Sequence, residues 1–241
     1  MSILTVVLAV VALLSGVLKS GFAIGAGIFL TPLLALVMGP KEAVVLVAPM
    51  MLFTDITAIY QYWRKWHLHD ILALAPPCIV GAVFGALLLN WFTPNTARRA
   101  IGIIGLLYVT TELFRMFIRR KSVSPNLIWS TSIGLVGGVA SALANSGGVF
   151  ISTYLAGRLT KQHFVGTLVL VFVGLNITKV TMFTGLGLLN RQLWITDLSL
   201  IPLMFVGGLA GKWLNSHIHE THFKRWVFLL IAGACIRLLF F

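Results

Sequence analysis

Apolar residues fill this chain in ten blocks, at about 3–18, 22–38, 43–62, 71–91, 97–118, 126–144, 147–157, 163–185, 192–214 and 223–241. Glycine, proline, asparagine and short clusters of charge separate them. A helix needs about 20 mostly apolar residues to cross roughly 30 Å of hydrocarbon, and most of the blocks are of that kind. The second and seventh are too short or too interrupted by glycine to be ordinary spans. Each is expected to form a hairpin with the block before it.

The polar punctuation recurs. At an offset of 121 residues Gly16 falls on Gly137, Ser20 on Ser141, Gly27-Ile28-Phe29-Leu30 on Gly148-Val149-Phe150-Ile151, and Asp55-Ile56-Thr57 on Asn176-Ile177-Thr178. Five further residues then enter the second copy. At an offset of 126 Pro76 meets Pro202, Val80-Gly81 meets Val206-Gly207, Gly85 meets Gly211, and Arg98-Arg99 meets Lys224-Arg225. Chance similarity between apolar segments matches Leu and Val freely, but rarely glycines, a proline, a polar triplet and a basic pair in order. The expected organisation is therefore two repeats, residues 1–121 and 122–241, each a Gly-broken helical hairpin followed by three transmembrane helices, forming together one all-α polytopic membrane domain.

Composition agrees: 59% of the 241 residues are hydrophobic, 10% are charged, and the mean hydropathy is +0.98. No soluble domain needs so much apolar surface. The net charge of +12 sits in short clusters between the blocks, which act as topology signals and are too short for a phosphate-tracking stripe, so no nucleic-acid partner is expected. With blocks one and two as a hairpin, loop Lys and Arg divide nine (Arg64, Lys65, Arg119, Arg120, Lys121, Arg158, Lys161, Lys224, Arg225) to four (Lys41, Arg98, Arg99, Arg191). A single broken pass in place of the hairpin removes that bias. The positive-inside rule thus favours the hairpin, both termini outside the cytoplasmic (inner) membrane, and repeats of opposite orientation. Inverted repeats are characteristic of secondary transporters, whose sites lie near the midplane where discontinuous helices meet. Cys78 and Cys235 lie within apolar blocks and read as packing residues. The N-terminal run lacks a preceding basic stretch, which argues against a cleaved signal.

The hairpin tips carry the candidate chemistry. The first reads Lys19 to Gly27, with Lys19, Ser20, Gly25 and Gly27 as candidate substrate contacts; the second supplies Asn145, Ser146, Gly147 and Gly148. Glycine lets backbone break and approach a ligand, and the helix restarting after each break aims its N–H groups and positive dipole end at the tip, which suits an anion. The plainer reading of these glycines is close helix packing. Lys179, one residue beyond the Asn176-Ile177-Thr178 triplet, is an intramembrane cation and a natural counter-charge, unless it snorkels or pairs with a carboxylate. Asn176 and Asp55 hold equivalent positions, and only Asp55 titrates. It is the candidate proton-coupling group, the alternative being a permanent ion pair with Lys19 or Lys179. His217, His219 and His222 with Glu220 lack zinc-protease spacing, and no nucleotide or dinucleotide fingerprint appears, so neither metal nor cofactor is expected.

The glycine-rich stretch from Gly21 to Pro32, Asp55 within the next helix, Tyr62-Trp63-Arg64-Lys65-Trp66, and the Gly81/Gly85 pair, all followed by the same order again, resemble the sulfite exporter TauE/SafE family of membrane transporters. The resemblance covers nearly the whole chain. It implies transport of sulfite, organosulfonates or related small sulfur oxyanions. The expected function is a secondary transporter for such an anion, not an enzyme, with protons as a candidate co-substrate, lipid as surroundings and homo-oligomerisation left open. A polytopic enzyme acting on a lipid-linked substrate and a passive anion channel are the competing readings.

Overall fold

The computed structural model describes residues 3–22, 26–117, 126–156, 158–217 and 220–240. Regular structure there is helical throughout: α1 (Ile3–Phe22), α2 (Gly27–Ala35), α3 (Pro40–Gln61), α4 (Leu68–Trp91), α5 (Pro94–Phe117), α6 (Leu127–Ala144), α7 (Gly148–Leu155), α8 (Lys161–Gly185), α9 (Arg191–His217) and α10 (Glu220–Phe240). Prolines at the first position of α3 and α5 start those helices where the missing N–H costs nothing, and the Asn126 side chain caps α6 by accepting from the Ile128 N–H at 3.1 Å.

Five stretches among the described residues are long and apolar enough to cross a membrane: Pro40–Gln61, Leu68–Trp91, Leu127–Ala144, Gln162–Gly185 and Arg191–Gly211. The protein is thus a multi-pass membrane protein, and its outer surface is correspondingly apolar, with Phe84, Leu87, Phe205 and Leu209 exposed. The expected fifth span is less apolar than its length suggests, because α5 carries Arg98, Arg99, Glu112 and Arg115. At 1.5 Å per residue α2 and α7 are only about 12–14 Å long, under half the roughly 30 Å of hydrocarbon.

Two helix pairs run side by side in the same direction with almost no space between their backbones. On α4 and α6, Gly134 lies on Pro77, Gly138 on the carbonyl of Cys78, Gly81 on the carbonyl of Leu135, and Gly85 on Val139 and Ala142. On α1 and α9, Gly16 lies on the backbone of Met204 and Gly208, and Gly207 on the carbonyl of Leu13. A Cβ at Gly16, Gly81, Gly138 or Gly207 would collide with backbone, so glycine is required for this approach. Two other pairs run in opposite directions. Asp55 of α3 meets Asn176 of α8, while Ala58 packs with Val165 and Val169. Gly102 of α5 lies on Leu239 of α10, and Tyr108 meets Phe228 at a ring distance of 5.8 Å.

The bundle has two distinct ends. At one, the starts of α1, α3 and α9 line a cavity of about 210 Å³ through Leu4, Leu8, Glu42, Leu46, Leu193 and Thr196. A second cavity of about 310 Å³ adds the α4–α5 and α8–α9 connections through Pro94, Gly187 and Asn190. At the other end the α3–α4 and α7–α8 connections meet. There the His67 N–H donates to Thr167 at 2.9 Å, and Gly166 packs on the carbonyl of Lys65. We refer to these as the Glu42 end and the Asp70 end. Because α1 and α3 both begin at the Glu42 end, α1 and α2 return the chain to where it started. Gly137 of α6 lies against Phe150 and Ile151 of α7, so this pair also folds back, and α7 leaves towards the Asp70 end.

Candidate functional site

The second hairpin turns on Asn145. It adopts a left-handed conformation (φ 52°), which asparagine tolerates better than other side chains, and its own N–H and that of Ser146 close onto the carbonyls of Ser141 and Ala140. This geometry pushes the Asn145 side chain out of the hairpin and into the first half of the chain. Its Nδ2 donates to the Thr31 hydroxyl and to the Val44 carbonyl, each at 3.0 Å, while its Oδ1 accepts from Lys179 Nζ at 2.6 Å. Thr31 in turn donates to the carbonyl of Gly27, the residue that opens α2. One amide therefore ties together the two hairpins, α3 and the buried lysine.

Across the same space Lys19 of α1 forms an ion pair with Asp55 Oδ1, and Asn176 Nδ2 donates to Asp55 Oδ2 at 2.6 Å. Lys19 Nζ also stands 5.0 Å from the centre of the Phe172 ring. Lys19, Asp55, Asn145, Asn176 and Lys179 are all buried. Two ammonium groups and one carboxylate leave the cluster with a formal charge of +1 when all are ionised. Burial of such charge is tolerated only through the pairings just described.

Between these groups lies a small cavity of about 20 Å³, room for about one water molecule. The candidate residues Lys19, Gly27, Asn145, Gly147, Gly148, Asn176 and Lys179 line it, and Met51, Ser141 and Phe172 complete the wall. Asp55 stands behind Lys19 and Asn176 and is absent from the lining. The Ser146 hydroxyl turns back to the carbonyl of Ala140 at 3.0 Å. The Ser20 side chain and Gly25 lie outside the described residues, as do His219 and the side chains of His217, Glu220 and His222. Met51 and Phe172 stand 121 residues apart, the repeat offset, but as an apolar pair they carried no signal of their own. Thr31 and Ser152 stand at the same offset with a hydroxyl on each, and Ser152 hydrogen-bonds locally to Val149.

A second polar cluster closes the Asp70 end. Asp70 is fully buried, forms an ion pair with Arg158 Nη2 at 3.0 Å, and lies 2.8 Å from His67 Nδ1. Arg158 also sits over the Tyr154 ring at 4.5 Å. From the sequence alone Arg158 reads only as a loop charge.

Long apolar helices, two half-length hairpin arms and a buried charged cluster where the arms meet define a multi-pass helical membrane protein. The family model for the sulfite exporter TauE/SafE family matches residues 8–238, and the chain belongs to that family. Comparison with curated proteins and with solved structures returned no match.

Proposed function

We propose that the protein is a secondary transporter that carries a small anion, sulfite or an organosulfonate first among them, across the cytoplasmic membrane. The observation that carries this reading is the pair of buried lysines facing one cavity at the junction of the two hairpins. Neither is satisfied by a group it needs to keep. Lys179 rests on a neutral amide, and Lys19 on a carboxylate that neutralises when protonated. An anion entering the cavity takes over the ammonium groups that Asn145 Oδ1 and Asp55 Oδ1 hold in its absence, joined by the N–H groups at Gly27 and Gly148. Ser20, Gly25, Ser146, Gly147 and Asn176 complete the proposed binding set. With room for about one water, this conformation is contracted, and the hairpin arms separate to admit substrate.

The proposed architecture is a pair of inverted repeats, residues 1–121 and 122–241. Support comes from helix direction. The equivalent helices α3 and α8 are antiparallel, as are α5 and α10, and the exchanged pairs α1/α9 and α4/α6 are both parallel. A two-fold axis lying across the helices produces that pattern, whereas one along them makes equivalent helices parallel. The Asp55–Asn176 bond joins positions 121 residues apart, as expected for residues on such an axis. Arg64, Lys65 and Arg158 gather at the Asp70 end, which is therefore assigned to the cytoplasm with both chain termini outside.

Asp55 is the proposed proton-coupling group. Protonation releases Lys19 and removes a negative charge next to the anion, so proton and anion favour each other. The test is uptake of labelled sulfite, sulfoacetate, thiosulfate and sulfate into proteoliposomes under a pH gradient. Wild-type protein is expected to concentrate one or more of them, and Asp55→Asn to lose pH-driven uptake while still binding substrate at alkaline pH. Uptake that never exceeds equilibration would make the protein a channel, and full pH-driven uptake by Asp55→Asn would remove Asp55 from the coupling.

A further inference from the structure

One buried carboxylate has no counter-charge among the described residues. Asp197 of α9 is fully buried, and neither of its oxygens has a hydrogen-bond partner. The charged groups on the elements packed against α9 are committed elsewhere. On α1, Lys19 pairs with Asp55. On α3, Lys41 donates to the Asn90 carbonyl at 2.8 Å, Glu42 is exposed at the cavity wall, and Asp55 is held by Lys19 and Asn176. Arg191, at the start of α9 itself, is exposed.

The contrast with Asp70 is informative. At the repeat offset of 126, Asp70 matches Thr196, the neighbour of Asp197, so the two aspartates stand near the starts of equivalent helices at opposite ends of the bundle. Both are fully buried. Asp70 is compensated by Arg158 and His67, whereas Asp197 is compensated by nothing. An ionised carboxylate withdrawn from water, without a cation or an N–H, is so costly that the group takes up a proton instead. A route for that proton is at hand. The cavity of about 210 Å³ at the Glu42 end reaches Leu193 and Thr196, within one helical turn of Asp197.

We propose that Asp197 is a proton-binding site, separate from Asp55, that is protonated in this conformation and exchanges its proton with water in the cavity at the Glu42 end. On release the carboxylic acid gives its proton to a water molecule and remains as a carboxylate, which needs the cavity to extend to it. The conformations with and without that proton therefore differ at the starts of α1, α3 and α9. Existence of the site does not depend on what the protein transports.

Infrared difference spectroscopy on the purified full chain tests it without any substrate. At neutral pH the wild type is expected to show the carbonyl stretch of a protonated carboxylic acid, shifting in deuterium oxide and disappearing as the pH is raised. The band is expected to be lost in Asp197→Asn and in Asp197→Leu, each checked for monodisperse elution, and retained in Asp55→Asn. Absence of the band in wild type, its survival in both Asp197 variants, or its loss in Asp55→Asn alone overturns the proposal. None of these outcomes bears on anion uptake, which the proteoliposome assay decides independently.

Discussion

The two halves of the chain bring a lysine to the same cavity by different routes and hold it differently. In the first half Lys19 comes from the hairpin helix α1 and is answered by the carboxylate of Asp55 on α3. In the second half Lys179 comes from α8, the counterpart of α3, and is answered by the amide of Asn145 at the hairpin tip. The first arrangement sets an ammonium against a carboxylate, and the second sets one against a neutral acceptor. Under the proposed function, one half supplies a carboxylate whose charge can be switched and the other a lysine that meets the anion.

That contrast breaks most severely at Lys19. In Lys19→Met the Asp55 carboxylate keeps only the Asn176 amide, and loss of one partner from a buried pair costs about 3–5 kcal/mol. Unfolding of the detergent-solubilised protein is expected to shift accordingly, with most of the loss recovered in Lys19→Met/Asp55→Asn. A double variant no more stable than the single one would show that the pair is not what Lys19 contributes. Lys179→Ala, by contrast, leaves no carboxylate stranded. Its expected effect is on binding, where loss of a charge-assisted hydrogen bond worth about 1.5–3 kcal/mol weakens anion affinity roughly ten-fold or more. Calorimetric titration with sulfite measures it, and unchanged affinity would make this lysine structural. The smallest effect is expected from Thr31→Val, which removes one of the two acceptors of Asn145 Nδ2 and costs about 1 kcal/mol of stability. An effect as large as that of Lys19→Met would mean that the Asn145 link, rather than the ion pair, holds the halves together.

The helical segments were legible because membrane helices are punctuated by residues with strict physical roles. Gly16 with Gly137, Gly27 with Gly148 and Pro76 with Pro202 recur in the same order, and that order is the pattern. Which side of each helix faces inward was not legible. In lipid both faces of a helix are apolar, and the periodic contrast that marks the core of a soluble protein is missing. Met51 and Phe172 thus looked like any other apolar residues, although they wall the cavity. Asp70 and Asp197 lie near helix starts, where a charged side chain ordinarily reaches the headgroups. Only packing distinguishes them as buried. His67 and Asp70 are three residues apart, but the partnership of Asp70 with Arg158 joins connections far apart in sequence, which no local spacing encodes.

The seam between α1 and α9 has a consequence for how the protein is made. Gly16 and Gly207 meet backbone to backbone, yet nearly the whole chain is synthesised between them. The first helix to reach the membrane must wait for one of the last before its glycine surface is covered, whereas α4 is joined by α6 after a single intervening helix. Assembly during translation therefore starts from the middle of the chain, and a product truncated after α8 would retain the α4/α6 seam while leaving α1 exposed to lipid. Contacts this distant in sequence are slow to form, because the chain between them must first be ordered. Until α9 arrives, the N-terminal hairpin is the part of the nascent protein most open to mispairing and to capture by membrane quality control.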